Sequence, residues 1–377
     1  MIIPTYNEVE NIRKIISALF DVNKKLVAWN INILVVDDNS PDGTADLVRT
    51  MQTEFGKDTL KLVSGNKAGL GKAYLHGFNE VLHTYKSEAI VMMDADFSHN
   101  PKSIPILLNA IENGADYVIG SRYVQGGSIP GNWPLMRVVN SRVANFVAHA
   151  LSGIDKGILD TTGGFKAIRT TTLKKIDLNS INASGYVFQV SLLHAFASRS
   201  ANIAEVPISF TDRERGTSKM KSRDIIEFIY RVYKLNPQSR IATLIRFGIV
   251  GACGSLINLM ILTTLVRFTH ISILFADLVA IEVSIITNFY MNHFYTFKLR
   301  EGQFRNYDRA NKVFVKLLKF NAGAIGGALI SFTAFYVFHQ LLHVNYVVAD
   351  LYAILLATGW NYWVSTKIVW KIVDART

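Results

Sequence analysis

Hydrophobic and polar positions change their rhythm partway along this chain. As far as Met220, short apolar runs alternate with segments whose apolar side chains recur at helical spacing. Met1–Pro4, Ile31–Val36, Leu60–Val63, Ala89–Asp94 and Tyr117–Gly120 read as strands. Ile12, Ile15, Ile16 and Leu19 mark one face of a helix after the first strand, and Lys72–Tyr85 forms another after a glycine-rich turn at Gly65, Gly69 and Gly71. Strands alternating with helices predict an α/β domain with a parallel sheet covered on both faces.

From Phe247 the pattern becomes continuous. No charge interrupts the chain from there to Val266, a run long enough for a helix to span a bilayer core. Three similar segments follow, at about 271–291, 320–338 and 345–366, so an all-α four-helix transmembrane domain is expected over 243–377. Residues 221–242 then form a juxtamembrane linker between it and a first domain at 1–220. The four segments are an internal repeat. Arg246-Phe247 matches Lys319-Phe320, Gly254 matches Gly327, Ala276-Asp277 matches Ala349-Asp350 and Asn288 matches Asn361, all at one constant offset. Each unit is a helical hairpin, so both copies enter from one side and an axis along the membrane normal can relate them.

Charge orients this half. Six Lys/Arg lie between Lys221 and Arg246 and seven between His293 and Lys319, whereas Arg267 alone lies between the first two spans and none between the last two. Basic residues favour the cytoplasmic side, so both termini are expected there. Net charge is about +2 for residues 1–220 and +9 beyond. With mean hydropathy of +0.22, the pI near 9.5 therefore reports apposition to a lipid bilayer rather than nucleic-acid binding. Ser222–Leu235 and Val313–Phe320 both mix apolar and basic positions as helices lying in the headgroup plane do. Asp277, Glu282 and Asp350 fall within spans, where carboxylates are costly unless paired or near the interface. Cys253 is the sole cysteine, which rules out a disulfide within the chain and a cysteine metal site.

Candidate chemistry gathers at strand ends. The apolar run Ala89–Met93 closes in Asp94-Ala-Asp96-Phe-Ser98-His99, placing two carboxylates at the carboxyl edge of a sheet, where open α/β folds bind ligands. Two hard oxygen ligands completed by a diphosphate suit Mg2+ or Mn2+. Glu8 and Asp38 add acidic side chains on the same edge, suited to base N–H and ribose hydroxyl groups, and Lys67 and Lys72 flank the glycines within reach of phosphates. Neither a dinucleotide fingerprint after the first strand nor a P-loop occurs.

Ile3-Pro-Thr-Tyr-Asn-Glu8, Val36-Asp-Asp-Asn-Ser-Pro-Asp-Gly-Thr44, Gly69-Leu-Gly-Lys-Ala-Tyr74, Asp94-Ala-Asp-Phe-Ser-His99 and Gly120-Ser-Arg-Tyr123 together resemble the GT-A glycosyltransferases of family 2. Trp133-Pro-Leu-X-Arg137-X-X-X-Ser141 and Arg213-X-X-Gly-X-Ser-Lys219 narrow the resemblance to the dolichol-phosphate mannose synthase group, and residues after 243 resemble a GtrA-like membrane domain. The resemblance implies a GT-A fold. It places Pro4, Tyr6, Glu8, Val36 and Asp38 around the base and ribose, and Asp94, Ala95, Asp96 and Ser98 around the donor diphosphate. Asp94, Asp96 and Ser98 would hold the metal. Arg122, Arg213 and Lys219 are the cations expected to balance the phosphates, and Arg122, Arg137 and Ser141 are expected to grip the acceptor phosphate. Catalysis would rest on Asp96, Arg122, Arg137 and Ser141. One departure is that Gly185-Tyr-Val-Phe-Gln189-Val-Ser191 carries a serine where the family often has a glutamate.

The implied reaction moves mannose from GDP-mannose to dolichyl (polyprenyl) phosphate with inversion, and no obligate protein partner is implied. A lipid monophosphate is already an anionic nucleophile near neutral pH, so no general base is needed and His99 is expected to support the carboxylates instead. The same chemistry with UDP-glucose remains an alternative, as does a lipid-sugar translocation or assembly protein with an inert first domain. A processive synthase is disfavoured because Gln-X-X-Arg-Trp is absent.

Overall fold

The computed structural model describes residues 1–182, 185, 187–211, 222–298 and 310–371. Two compact units emerge, Met1–Asn236 and Pro237–Thr377.

In the first unit the strand periodicity holds: β1 (Ile2–Thr5), β2 (Ile33–Asp37), β3 (Leu60–Ser64), β4 (Ala89–Met92) and β5 (Tyr117–Ser121) lie within a residue or two of their expected places. Helices α1 (Val9–Asn23), α2 (Thr44–Phe55), α3 (Leu70–Thr84), α4 (Ile104–Glu112) and α5 (Leu135–Ser152) alternate with them. Alternating side chains split the core in two. Ile2, Leu34, Val36, Met92 and Ile119 face one layer, while Ile3, Val35, Val91 and Val118 pack against α1 and α4 on the other.

The sheet is mixed, which corrects the parallel expectation. Its order is β3-β2-β1-β4-β6-β5-β7, with β6 (Lys166–Arg169) antiparallel to both β4 and β5, and β7 (Ile203–Pro207) parallel to β5. A four-residue strand headed by a lysine leaves too little alternation to be read from sequence. The reversal matters for the site. Lys166 pairs with Met92 at the end of β4 and with Ile119 near the end of β5. The segment entering β6 is therefore delivered to the edge where β4 and β5 terminate.

After β6 come α6 (Thr170–Leu173), α7 (Val187–Ala197) and α8 (Ser222–Leu235). Helix α8 belongs to the first unit and buries Phe228 and Val232 in the core it shares with α7 and α5 residues, while Ile226, Ile229 and Tyr230 stay exposed.

The second unit contains α9 (Arg240–Phe268), α10 (Ile273–Met291), α11 (Ala310–Tyr336) and α12 (Tyr346–Val364). Among the described residues three stretches, Arg240–Phe268, Ile273–Thr296 and Lys312–Leu341, are long and apolar enough to cross a membrane. The fourth expected span forms helix α12, whose Asp350, Asn361, Trp360 and tyrosines dilute its hydropathy. Val313–Phe320 is not a separate surface helix. No glycine or proline separates it from the span, and α11 runs through it without a break. The repeat is visible as packing: a side chain at Gly254 would overlap the Asn288 amide, and one at Gly327 would overlap that of Asn361. Backbones approach closely at such small-residue notches. Both second helices end in a π-helical turn, Asn292–Thr296 and Ser365–Val369, which fall at equivalent positions of the repeat. Glu282 accepts a hydrogen bond from Asn321 of the other hairpin at 2.9 Å.

Candidate active site

Strand order reverses at β1, which lies between β2 and β4, and a crevice at such a reversal is where α/β sheets bind ligands. The chain leaves β1, β2 and β4 through left-handed residues, Asn7 (φ 59°), Asn39 (φ 59°) and Phe97 (φ 60°). Non-glycine residues are seldom found there, and such conformations gather at functional sites. The second motif splints the first: Ser40 Oγ, Thr44 Oγ1 and Asp42 Oδ2 accept from the backbone N–H groups of Asn7, Glu8 and Val9, each at 3.0 Å. Asp37, the first acid of the pair after β2, is consumed by Thr5 and Ser40. That leaves Asp38, buried, accepting from the Ala68 N–H at 3.3 Å.

Asp38 adjoins a cavity of about 510 Å³ lined by Asn39, Ser64, Gly65, Asn66 and His76. Gly65 is required by close approach, because a Cβ there would stand 2.9 Å from Asp38 Oδ1. Tyr6 is exposed, and Lys67 Nζ lies 3.7 Å from its ring centroid. Glu8 accepts from Asn11 at 2.9 Å. Pro4, Val36 and Ala95 are buried. Lys72 is exposed on α3.

Beyond β4 the two carboxylates are held differently. Asp94 is part-exposed, and its Oδ1 accepts from the Tyr74 hydroxyl at 3.2 Å. Asp96 is buried and receives the Ser98 N–H at 3.0 Å. The Ser98 hydroxyl is buried with no hydrogen-bond partner among the described residues. Buried polar atoms are seldom left so, and a hydroxyl beside two carboxylates offers a third oxygen. Among the described residues no group of three His, Cys, Asp or Glu side chains is placed to hold a metal ion by itself. An oxygen set of this kind fits a hard divalent cation whose remaining ligands come from a substrate. His99 receives the Asp94 N–H on Nδ1 at 3.3 Å, so that nitrogen is an acceptor. Burial pushes its imidazole below the usual range despite Asp94 and Asp96.

At the end of β5, Arg122 meets a residue that the sequence did not single out. Its Nε donates to Asp160 Oδ2 and its Nη2 to Asp160 Oδ1, both at 2.7 Å, and Nη2 also reaches Thr162 Oγ1 at 3.0 Å. Asp160 is fully buried, and its backbone N–H donates to Glu205 at 2.9 Å. Burial alone would raise its pKa, but the Arg122 charge and hydrogen bonds win and hold it low. The one available signal was an acid just ahead of Gly163-Gly164 and an apolar run. Arg137 and Ser141 both lie on α5 as expected. Arg137 stacks its guanidinium 4.0 Å above Trp133, and the Ser141 hydroxyl is 2.6 Å from that of Tyr123. Phe210 joins the two cations, lying 5.5 Å from Arg122 and edge-on to Trp133 at 5.7 Å.

Where the family often carries a glutamate, Ser191 accepts from the Asn182 N–H, and Gln189 accepts from the buried Lys166 ammonium at 2.5 Å. Arg213 and Lys219 lie outside the described residues.

Residues 1–177 match glycosyl transferase family 2, and residues 246–370 match the GtrA/DPMS transmembrane domain. A dolichol-phosphate mannosyltransferase from Pyrococcus furiosus is 34% identical over 98% of this chain and 98% of its own. A polyprenol monophosphomannose synthase from Mycolicibacterium smegmatis is 41% identical over 64% of this chain and 88% of its own. With strand-end carboxylates, an arginine held in bidentate fashion after β5 and apolar hairpins later in the sequence, this chain belongs to the membrane-bound glycosyltransferases of family 2 that carry a GtrA/DPMS domain.

Proposed function

We propose that this enzyme transfers mannose from GDP-mannose to a dolichyl or other polyprenyl phosphate, with inversion at the anomeric carbon. The observation that carries the reading is the oxygen set Asp94, Asp96 and Ser98 beyond the end of β4, with Arg122 locked by Asp160 at the end of β5 on the same edge of the sheet. Both relatives named above are polyprenyl-phosphate mannose enzymes by name, and the similarity to the first runs the length of both chains.

Asp38 accepts from the base, Tyr6 and Glu8 flank it, and main-chain groups at Pro4, Val36 and Ala95 complete the donor cradle. Asp94, Asp96 and Ser98 would hold Mg2+ or Mn2+, which when bound neutralises the donor diphosphate. Arg122 presents its remaining N–H groups to phosphate, a geometry suited to a planar guanidinium. Arg137 and Ser141 hold the acceptor, and Arg213 and Lys219 add charge. The acceptor phosphate is an anionic nucleophile near neutral pH, since phosphate esters lose their second proton at a pKa of about 6. The protein's work is to hold two anions in line and offset their repulsion. No proton need be removed, which fits a His99 whose Nδ1 is already committed to a backbone N–H. One displacement inverts configuration, so an α-linked donor yields a β-linked lipid phosphate.

The membrane unit reads as four spans with both termini, and hence the catalytic unit, cytoplasmic. The charge asymmetry of the loops supports that orientation. Exposed Ile226, Ile229 and Tyr230 on α8 fit a helix that rests against headgroups.

A donor panel with purified protein tests the reading. Wild type and Asp96→Ala are given GDP-mannose or UDP-glucose and a short polyprenyl phosphate, with Mn2+, Mg2+ or EDTA. Mannosyl transfer by wild type alone, abolished by EDTA, with a β-anomeric product by NMR, is the expected result. Exclusive use of UDP-glucose would refute the donor assignment, and turnover insensitive to chelation would refute the metal.

A further inference from the structure

A hydroxyl that binds a phosphate dianion must donate, because the dianion offers only acceptors. Ser141 has one proton and two lone pairs. Its Oγ lies 2.6 Å from the Tyr123 hydroxyl, and the distance leaves open which group donates. If Ser141 donates to Tyr123 it has nothing to give the acceptor. We infer that Tyr123 is a positioning residue of the acceptor-phosphate subsite: its phenol donates to Ser141 Oγ, so the serine proton is turned toward the lipid phosphate. This deepens the function proposed above and rests on it.

Two further observations support the assignment. The same Tyr123 ring lies 5.3 Å from the Arg122 guanidinium, so one side chain touches both a cation and a hydroxyl assigned to the acceptor. The contacts also close on themselves. Asn145 Nδ2 donates to the Ser141 carbonyl at 3.1 Å, and its Oδ1 accepts from Thr161 N and Oγ1 at 2.8 and 2.7 Å. Thr161 is the neighbour of Asp160, which grips Arg122, which precedes Tyr123. Tyr123, Ser141, Asn145, Thr161, Asp160 and Arg122 thus form a ring linking α5, the segment before β6 and the end of β5. Hydrogen bonds in such chains polarise one another, and a phenol donating into Ser141 strengthens what Ser141 donates onward.

The test is a double-mutant cycle on Tyr123→Phe and Ser141→Ala, read as separate KM values for GDP-mannose and a short polyprenyl phosphate. Tyr123→Phe should raise the acceptor KM about threefold to tenfold, the worth of one neutral hydrogen bond. The donor KM and GDP affinity should stay at wild-type values, which also certifies the fold. In the Ser141→Ala background the phenylalanine change should add nothing. Tyr123→His, which keeps an N–H donor, should recover part of the loss. An unchanged acceptor KM, an effect on the donor, or two losses that simply multiply would overturn the assignment while leaving the functional reading intact. Absence of mannosyl transfer by the wild type would overturn both.

Discussion

Replacing Asp160 with asparagine takes a full negative charge from a buried ion pair while changing its shape little. Asp160 accepts Arg122 Nε and Nη2 at 2.7 Å and the Arg122 backbone N–H at 3.1 Å, with its own side chain fully buried and Arg122 nearly so. Breaking such a pair from one side costs about 3–5 kcal/mol, because the remaining charge is left uncompensated. The asparagine NH2 would face one of the guanidinium donors, so Arg122 should swing from its place. The catalytic loss then approaches that of one charge-assisted hydrogen bond, about 1.5–3 kcal/mol, or about tenfold to 150-fold in kcat/KM. Two assays follow: steady-state transfer, and thermal unfolding of the catalytic unit in detergent across pH. The sign of the pH effect is fixed. The folded Asp160 carboxyl sits below its ordinary value, so the pair's stabilisation is present above an ordinary carboxylate pKa of about 4 and is lost as pH falls through the lower folded value. Asp160→Asn should lack that part of the acid decline. Wild-type turnover together with a wild-type melting profile would refute the argument.

Other expectations come from close approaches and buried charge. Gly65→Ala places a methyl 2.9 Å from Asp38 Oδ1, so GDP affinity should fall by an amount consistent with overpacking of about 1–3 kcal/mol while the acceptor KM holds, as calorimetry and kinetics can show. In the membrane unit, Gly254→Ala and Gly327→Ala meet Asn288 and Asn361 in the same way, and both should lower the melting temperature in detergent by similar amounts. A marked difference would argue that the two hairpins are not equivalent in packing. Burial holds the Lys166 ammonium down at about 7, so the folded chain binds fewer protons than the unfolded one between that value and the ordinary lysine range. Stability of the catalytic unit should therefore rise with pH through that window, and Lys166→Met should flatten the slope.

What the chain disclosed before folding, and what it hid, divides along local and non-local lines. Asp94 and Asp96 were legible because a buried strand ends in them, whereas Ser98 entered only through the family motif. Arg137 and Ser141 were legible as a pair one helical turn apart on one helix. Asp160 was not, because its meaning lies in Arg122, far off in sequence, and in a strand that runs backwards between β4 and β5. Tyr123 was quoted within a motif, yet its link to Ser141 depends on α5 returning over the end of β5. Periodicity misled at Val313–Phe320, where amphipathic spacing suggested a surface helix although nothing in the sequence stops the helix that follows. Helix α8 shows the converse: its apolar positions serve two faces, one filled by Phe228 and Val232 within the catalytic unit and one left open.

The duplicated hairpins show which interactions tolerate change. The Gly254–Asn288 and Gly327–Asn361 notches are kept in both copies, since a larger residue there would force the helices apart. Support around each notch has diverged. Ser284 Oγ donates to the Gly254 carbonyl at 2.8 Å in the first hairpin, and its counterpart, Ala357, lacks a hydroxyl. The second hairpin instead has Trp360 Nε1 donating to Gly323 O at 3.1 Å, where the first carries Thr287 and Val250. The Glu282–Asn321 bond is likewise unmatched, its equivalents being Leu355 and Gly248. Glu282 joins α10 to α11, so this polar link ties one hairpin to the other, where the repeat does not require two surfaces to be alike. A carboxyl group at that depth is expensive without a partner, and Asn321 supplies a donor that the symmetric position could not. The glycine–asparagine notch has thus stayed fixed within each hairpin, while the second adds close approaches of Gly323 to Val364 and Gly326 to Trp360 where the first carries Val250 and Cys253, and the polar bonds around the notch and between the copies differ.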